Sequence, residues 1–418
     1  MLTARAWGQD QPEGVPPIEP EVPAVEQISL GMIGPGKRGH TLMRNFFLKD
    51  PQFRLLAVAE VDTTRRNQAV DLVNRAYGNT DCQGFVDYRD LLEREDVDAV
   101  VIVTPDHWHT LQTIHAAQAG KDIYCEKPLT HNLHEGKLII DAVNKHGRIL
   151  QTGSQQRSEY GHHFARAAEY VRSGRLGKIT QVHVNVREAP IWCDLPDQAT
   201  PEGMDWDRWI GPAPMRAYHQ SLAPEGIPRS WPRWRAYREY CGGYLADMGA
   251  HQFDIAQWAL GKDHTMPVRI VPPAEEDATR GTELYYADGT KLIHGGGETG
   301  AGGLTIVGEN GTIVVHRGGI KSEPGNILEQ PLAETDVHLP RPVSHAANWA
   351  DAIRSREKSI CPVEIGAHTA AICQMTNISY WVREELNWDP VKWEFTNSQA
   401  ANALRGREYR DGFELPNI

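Results

Sequence analysis

The chain lacks the features of a membrane protein and of a nucleic-acid-binding protein. None of its 418 residues lies in an apolar run as long as the roughly 18 residues that a membrane-spanning helix needs. It also lacks a basic segment, and its formal net charge of −12 at pH 7 argues against nucleic acid or an anionic membrane surface as the partner. With 40% hydrophobic and 23% charged residues, the composition is that of a globular protein. The length allows two domains with cores of their own.

Cysteine is scarce and shows no metal-binding pattern. The six cysteines are Cys82, Cys125, Cys193, Cys241, Cys361 and Cys373, with no CxxC pair among them. They are predicted to be reduced thiols, and no structural disulfide or catalytic cysteine is indicated. Histidines are more numerous, including His107, His109, His162 and His163. A zinc site needs three or four convergent ligands, which their spacing does not indicate, so no metal is expected.

The first 26 residues contain five prolines and no periodic pattern. They are predicted to form a flexible, proline-rich tail over residues 1–26. Ala4-Arg5-Ala6 resembles a signal-peptide cleavage site, although no apolar segment precedes it. A cytoplasmic location is the default expectation, and the alternative is a periplasmic location if a signal peptide has been lost from the start.

A glycine-rich turn follows the first apolar segment. Residues 34–39 read Gly-Pro-Gly-Lys-Arg-Gly between a predicted buried strand, 28–33, and a predicted helix, 38–48. In such a turn the first glycine makes the bend, the second admits a pyrophosphate, and the third lets the helix pack on the strand. The turn therefore predicts a dinucleotide site, with an ordinary strand–turn–helix as the alternative. The residues predicted to contact the dinucleotide here are Gly34, Gly36, Lys37, Arg38 and Gly39.

An acidic residue at the end of the second strand indicates which dinucleotide binds. Glu60 ends the predicted strand 54–61 and lies 21 residues after Gly39. A carboxylate there would bind the ribose hydroxyls and repel a 2′-phosphate, which favours NAD over NADP. Arg65 lies close by and would accommodate a phosphate, so NADP stays as the weaker alternative.

The order of predicted elements indicates the fold class. Strands and helices alternate up to residue 152, which predicts an α/β fold with a doubly wound parallel sheet of the Rossmann type. From about residue 180, strands follow one another closely, which predicts an α+β domain with a large, open, mostly antiparallel sheet. The predicted strands are 28–33, 54–61, 98–104, 122–125, 149–152, 179–188, 268–271, 282–286, 291–294, 304–307 and 312–315. The expected domains are 27–152, which binds NAD(P), and 153–418, which binds substrate and forms oligomers.

Two predicted parallel strands end in polar clusters. Residues 104–109, Thr-Pro-Asp-His-Trp-His, follow one strand, and Glu126-Lys127-Pro128 follows the next. Ligands of open α/β sheets bind at these carboxyl ends. A lysine beside a nicotinamide can bind the substrate oxygen, although a surface lysine in a turn is the usual alternative. Thr104, His107, Trp108, His109 and Glu126 are accordingly predicted to lie at the cofactor.

Asp247 and His251 are four residues apart, so on a helix they share one face. A histidine beside a carboxylate can act as a general base, which oxidation of an alcohol requires. A helix salt bridge or a pair of metal ligands would give the same spacing.

These motifs, in this order, resemble the Gfo/Idh/MocA oxidoreductase family. The resemblance runs from about Gln27 to Asn402 and includes the 205–214 stretch DWDRWIGPAP. It implies a Rossmann domain followed by an α/β domain whose open sheet forms homodimers or homotetramers. It also implies that Lys127 is the catalytic lysine, with Asp247 and His251 as its partners at the substrate, and that Arg157 lies at the substrate edge. Many members have Pro-Asn where this chain has Pro105-Asp106.

Residues 190–244 are rich in aromatic side chains. Sugars stack on such rings, whereas core packing is the alternative for most of them. Trp192 and Tyr244 are predicted to bind substrate. The aromatic residues are Trp192, Trp206, Trp209, Trp231, Trp234, Tyr237, Tyr240 and Tyr244.

The motifs together predict an NAD(H)-dependent oxidoreductase that acts on a secondary hydroxyl or keto group of a sugar or glycoside. One alternative is an NAD-dependent glycosidase or lyase that oxidises the sugar transiently and recycles its bound cofactor. Another is a non-catalytic regulator on the same fold.

Overall fold

The computed structural model describes residues 27–299 and 302–418, so the predicted tail over 1–26 lies outside the described residues. The first sheet has six parallel strands in the order β3-β2-β1-β4-β5-β6. Helices lie between its strands, and this confirms the predicted doubly wound parallel sheet. Its strands are β1 (Ile28–Ile33), β2 (Phe53–Ala59), β3 (Gln83–Phe85), β4 (Ala99–Ile102), β5 (Asp122–Cys125) and β6 (Leu150–Thr152).

The helices of this first part begin with α1, which continues as a π-helix over Met43–Phe47. Asp62, Asp87 and Asn132 cap the N-termini of three of the helices through side-chain hydrogen bonds. The helices are α1 (Lys37–Leu42), α2 (Thr63–Tyr77), α3 (Tyr88–Leu92), α4 (Asp106–Gln118) and α5 (Leu133–Lys145).

The second sheet has nine strands in the order β13-β12-β11-β7-β10-β9-β8-β14-β15. Only the β7–β10 pair is parallel, and the other neighbours are antiparallel. The predicted large, mostly antiparallel sheet is confirmed. Its strands are β7 (Ile179–Asn185), β8 (Arg269–Val271), β9 (Glu283–Tyr285), β10 (Lys291–His294), β11 (Gly303–Gly308), β12 (Gly311–His316), β13 (Gly319–Glu323), β14 (Leu386–Asp389) and β15 (Glu394–Phe395).

Seven α-helices follow β6 in the part of the chain that the structure describes. The longest, α11, packs against both α8 and α5, and so joins the two parts of the chain. No described helix is long and apolar enough to cross a membrane. The helices are α6 (His163–Arg172), α7 (Trp206–Ile210), α8 (Gly243–Leu260), α9 (Asn326–Glu329), α10 (His345–Ser355), α11 (Val363–Val382) and α12 (Gln399–Ala403).

Helix α10 comes late in the chain but packs on the first sheet. Its Trp349 is fully buried and contacts Phe47, Phe53 and Tyr124, with ring centroids 5.6–6.1 Å apart. The core of the N-terminal part therefore includes residues from beyond 340. The division at 152/153 stays a prediction.

Candidate active site

The glycine turn after β1 has the geometry that a dinucleotide requires. Gly34 has φ +74°, and a Cβ there would come within 3.0 Å of the Thr104 backbone. At Gly39 a Cβ would meet Met32 at 3.3 Å, so this glycine lets the helix pack on the strand. At Gly36 the nearest atom would be 4.0 Å away, which leaves open space beside the turn. A pyrophosphate therefore fits at Gly36.

Glu60 follows β2 and is 6% exposed. Its carboxylate accepts the Asp62 backbone N–H at 3.0 Å and lies 3.6 Å from Arg65. Burial raises the pKa of Glu60, and the Arg65 charge opposes that rise. Arg65 itself donates to the carbonyl oxygens of Gly226 (2.8 Å) and Pro224. Because these bonds occupy Arg65, it is not free to bind a 2′-phosphate, which favours NAD.

A segment from the second half of the chain covers this end of the first sheet. We call residues 222–235 the strap. Its Gly226 N–H donates to the Asp62 carboxylate at 3.1 Å, and its Pro228 and Arg229 carbonyls accept from Lys37. Lys37 also lies 5.5 Å from the ring centre of Trp231. The predicted cofactor residues Lys37 and Arg65 thus hold the strap over the glycine turn.

A cleft lies between the strap and the carboxyl ends of the first sheet. Gly39, His107, His109 and Glu126 were also predicted to bind cofactor but do not line it. The predicted residues that line the cleft are Gly34, Gly36, Lys37, Arg38, Glu60, Arg65, Thr104 and Trp108.

The polar cluster over 104–109 continues into a helix, because α4 begins at Asp106. His107 and Trp108 both contact the Trp209 carbonyl, at 3.2 and 3.1 Å. His109 places its two ring nitrogens 2.7 Å from the Pro128 carbonyl and 2.9 Å from the Thr104 carbonyl. Burial and the Arg407 charge lower the pKa of His107 to about 3. His107 thus joins α4 to the Trp209 segment, and His109 links the segments that follow β4 and β5. Neither histidine lines the cleft.

Lys127 and Asp247 form the central ion pair of the site. Lys127 follows β5, and its ammonium donates to the Asp247 carboxylate at 2.7 Å and to the Asp247 carbonyl at 2.6 Å. Arg235 lies 3.8 Å from the same carboxylate. Burial would raise the pKa of Asp247, but Lys127 and Arg235 hold it below its ordinary value. A fixed ammonium is therefore available to bind a substrate oxygen.

His251 lies one turn after Asp247 on α8 and is 6% exposed. Its Nδ1 is buried without a hydrogen-bond partner among the described residues. Burial and the charges of Lys127, Arg317 and Arg38 lower the pKa of His251 well below its usual value. The imidazole is therefore neutral at pH 7 and able to accept a proton.

Glu126 connects this site to the cofactor cleft. Its carboxylate accepts from Arg38, which lines the cleft, at 2.9 Å and from Gln155 at 2.8 Å. Arg235 makes a second connection, because it lines the cleft and also contacts Asp247. The Lys127–Asp247–His251 group thus adjoins the cleft.

Arg157 does not lie at the substrate edge, and that prediction is corrected. It is 1% exposed, and its guanidinium pairs with Asp254 and Asp263, both at 2.8 Å. Buried cations need such partners, so Arg157 stabilises the fold.

Trp192 is 64% exposed and stacks on Arg238, and half-buried Tyr244 stacks on Arg187.

Most of the other aromatic residues are packed inside the protein. Trp231 differs, since it is 52% exposed. It lines the cleft together with Trp209 and Trp234. Those buried in a shared cluster are Trp206, Trp209, Trp234, Tyr237 and Tyr240.

Sequence reasoning missed Arg235 and Arg317. Arg235 stacks between Trp231 and Trp234, 4.7 and 4.1 Å from their ring centres. The alternation of arginine with aromatic residues over 229–240 was a signal for such stacking. Arg317 lies in the turn between β12 and β13, where the sequence gives no signal.

The structure also bears on the cysteines and on possible metal ligands. All six cysteines are free thiols, as predicted. Within residues 27–299 and 302–418, no group of three or more histidine, cysteine or carboxylate side chains is placed to hold a metal ion.

Comparison with known proteins identifies the family. Residues 28–154 match the family model described as "Oxidoreductase family, NAD-binding Rossmann fold", and residues 171–415 match "Oxidoreductase family, C-terminal alpha/beta domain". Since the second match alone covers more than half of the chain, the protein belongs to the Gfo/Idh/MocA oxidoreductase family.

Two curated relatives that match this chain are distant in sequence. The uncharacterised oxidoreductase YrbE of Bacillus subtilis (strain 168) is 26% identical over 290 residues, which is 69% of this chain and 66% of YrbE. The NAD(+)-dependent scyllo-inositol 2-dehydrogenase of the same organism is 27% identical over 57% of this chain and 56% of its own length. The chain therefore spans about half to two thirds of these relatives.

A solved levoglucosan dehydrogenase in complex with NADH and levoglucosan superposes with a TM-score of 0.57 at 20% identity. The match covers 86% of this chain and 99% of the other. At this identity the likeness shows the fold.

Proposed function

We propose that the protein is an NAD(H)-dependent oxidoreductase that acts on a secondary hydroxyl or keto group of a sugar. The observation that carries the proposal is the Lys127–Asp247 ion pair beside neutral His251, whose Nδ1 has no hydrogen-bond partner among the described residues. This group lies next to a cleft with a dinucleotide-type glycine turn. The family membership and the sugar and inositol dehydrogenases among the relatives support it.

The residues around the cleft fit NAD. Gly36 leaves space for the pyrophosphate, and Glu60 ends the strand where ribose hydroxyls would bind. When bound, the nicotinamide accepts a hydride in the oxidative direction and returns one in the reductive direction. Lys37, Arg38 and Thr104 also line this cleft.

Each residue of the site has a distinct role in the proposed reaction. Lys127 donates a hydrogen bond to the reacting oxygen and stabilises the negative charge that develops there. Neutral His251 takes the hydroxyl proton in oxidation and gives it back in reduction. Asp247 holds the Lys127 ammonium in place, at 2.7 Å. A homodimer or homotetramer remains our expectation for the assembly.

The test begins with the nucleotide released from denatured protein, which should be NAD(H). The native protein is then supplied with NAD and a panel of sugars and aryl glycosides, and NADH and free aglycone are both measured. Lys127→Met should lower the rate of NADH formation by about 10²–10⁴-fold while nucleotide binding is kept.

Lys137→Met is the matched control, since Lys137 is exposed and pairs only with Asp141. It should have the wild-type rate. An unchanged rate in Lys127→Met, or aglycone release without NADH, would contradict the proposal.

A further inference from the structure

Arg317 reaches the proposed active site from the second sheet. Its Nε donates to the Gln156 side-chain oxygen at 2.9 Å, and the Gln156 amide donates to the His251 carbonyl at 3.3 Å. Gln252, the residue after His251, also donates to the Gln156 oxygen, at 3.3 Å. One glutamine therefore ties the arginine to the helical turn that carries the proposed base.

Arg317 has no carboxylate partner of its own among the described residues, since Asp247, on which its charge acts, is already paired with Lys127. Lys127 pairs with Asp247 at 2.7 Å, and Arg38 pairs with Glu126 at 2.9 Å. Across residues 27–299 and 302–418, no carboxylate lies within 4.0 Å of Arg317, and its terminal Nη groups make no hydrogen bond. The arginine is half-buried, so water solvates this charge only in part.

The loop over 160–162 supports Arg317 on one face. The guanidinium carbon lies 4.9 Å from the ring centre of Tyr160. Tyr160 and His162 have φ of 58° and 56°, which side-chain-bearing residues rarely adopt. Such backbone conformations persist only where the surroundings impose them, and they cluster at functional sites. The loop thus holds a ring against the guanidinium and leaves the hydrogen-bonding edge of the guanidinium unused.

We propose that Arg317 binds the carboxylate of the substrate, and that the substrate is therefore a sugar acid, such as a uronate. This inference rests on the proposed function and names its substrate class. The guanidinium fork matches a carboxylate in geometry and forms two charge-assisted hydrogen bonds with it. Its position beside the turn that carries His251 places such a carboxylate within the same substrate that is oxidised.

The reaction balances with the carboxylate unchanged. A C–H bond of the substrate breaks and its hydride passes to NAD⁺. The hydroxyl proton passes to His251, and the C–O single bond becomes C=O. The carboxylate only binds and orients the substrate.

The test compares each acid with its own neutral methyl ester on the NAD-loaded, full-length protein. Glucuronate and galacturonate are the probes, and kcat/KM for NADH formation is measured for acid and ester. The wild type should prefer at least one acid by tenfold or more. Arg317→Gln should reduce kcat/KM for that acid by about 10–100-fold and for its ester by less than threefold.

Lys321→Gln is the matched control, because Lys321 is an exposed cation on the same hairpin that pairs with Glu298. It should keep the preference for the acid. Melting temperature and bound nucleotide should be equal in the three proteins, so that a loss in Arg317→Gln reports on binding.

The outcomes separate this inference from the proposed function. Turnover of neutral sugars or esters with no preference for an acid would overturn the inference and keep the function. An equal loss for acid and ester in Arg317→Gln would also overturn it. If no compound is oxidised, the proposed function fails. Calorimetric binding of acid and ester to the NADH complex then decides the inference on its own, because tighter, Arg317-dependent binding of the acid supports it and equal binding overturns it.

Discussion

At the scale of single residues, the charges around His251 determine how the site should respond to pH. Burial and three cations lower the pKa of His251, so the imidazole stays neutral well into mildly acidic solution. Asp106, a buried carboxyl near Lys127, and Asp254, which pairs with Arg157, both have a pKa raised by burial to about 6. A pH profile of variants can tell His251 apart from these two carboxyls.

We predict that kcat/KM for oxidation is constant from pH 8 down to the ordinary histidine pKa, about 6.5, and falls only at lower pH. The sign follows from the role of His251. The neutral imidazole is the active form, and its lowered pKa delays protonation as the pH falls. His251→Asn should have low activity that does not show this fall of kcat/KM at acid pH, which we call the acid limb. Asp106→Asn should retain the acid limb. A limb centred at or above pH 6.5, or one that disappears in Asp106→Asn, would contradict the assignment.

Arg157 provides a second prediction at this scale. Arg157→Met leaves the carboxylates of Asp254 and Asp263 without their cation, and Asp254 is fully buried. Breaking such a buried pair costs about 3–5 kcal/mol of unfolding free energy. Denaturant unfolding should show this loss, with partial recovery in the Arg157→Met/Asp254→Asn double variant. A large rise in KM with unchanged stability would show instead that Arg157 binds substrate.

At the scale of structural elements, the strap forms one side of the cleft. It contacts α1 and α2 through side chains of Lys37 and Arg65 that the sequence alone assigns to the dinucleotide. Because strap residues line the cleft, we expect a dinucleotide bound there to lie against the strap.

We predict that loosening the strap speeds the release of NADH. Trp231→Ala removes an exposed ring that lines the cleft and contacts Lys37. The dissociation rate, measured by stopped-flow displacement of NADH, should rise about tenfold, the equivalent of about 1.4 kcal/mol. Ser230→Ala, an exposed neighbour that does not line the cleft, is the control. Equal rates in the two variants would show that the strap does not retain cofactor.

The elements also show how far the sequence could predict the site. The glycine turn and Lys127 could be predicted from local sequence, because each directly follows a strand of the first sheet. Asp247 and His251 share a face because they are one helical turn apart. Arg235 and Arg317 come from a loop and a hairpin more than 100 and almost 200 residues beyond Lys127, and only tertiary packing brings them to the site. Arg157 was misassigned because its partners Asp254 and Asp263 are equally distant in sequence.

At the scale of the whole molecule, the fold joins its two parts more closely than the sequence indicates. The alternation of strands and helices predicted the first sheet, and the close succession of strands predicted the second. The sequence pattern could not predict that α10 packs on the first sheet. Trp349 is an apolar residue on α10, and only the structure shows that it contacts Phe47, Phe53 and Tyr124. The cofactor cleft is likewise lined on one side by the first sheet and on the other by the strap.

The most direct test of the central claim is to follow the hydride itself. The protein is incubated with NAD⁺ and a sugar or sugar acid that it oxidises, prepared with deuterium on its carbon-bound positions. The NADH that forms is then weighed by mass spectrometry. The proposed reaction predicts NADH heavier by one mass unit, formed about 10²–10⁴-fold more slowly in Lys127→Met. Unlabelled NADH, or turnover of the sugar with no label in the nicotinamide, would contradict hydride transfer at this site.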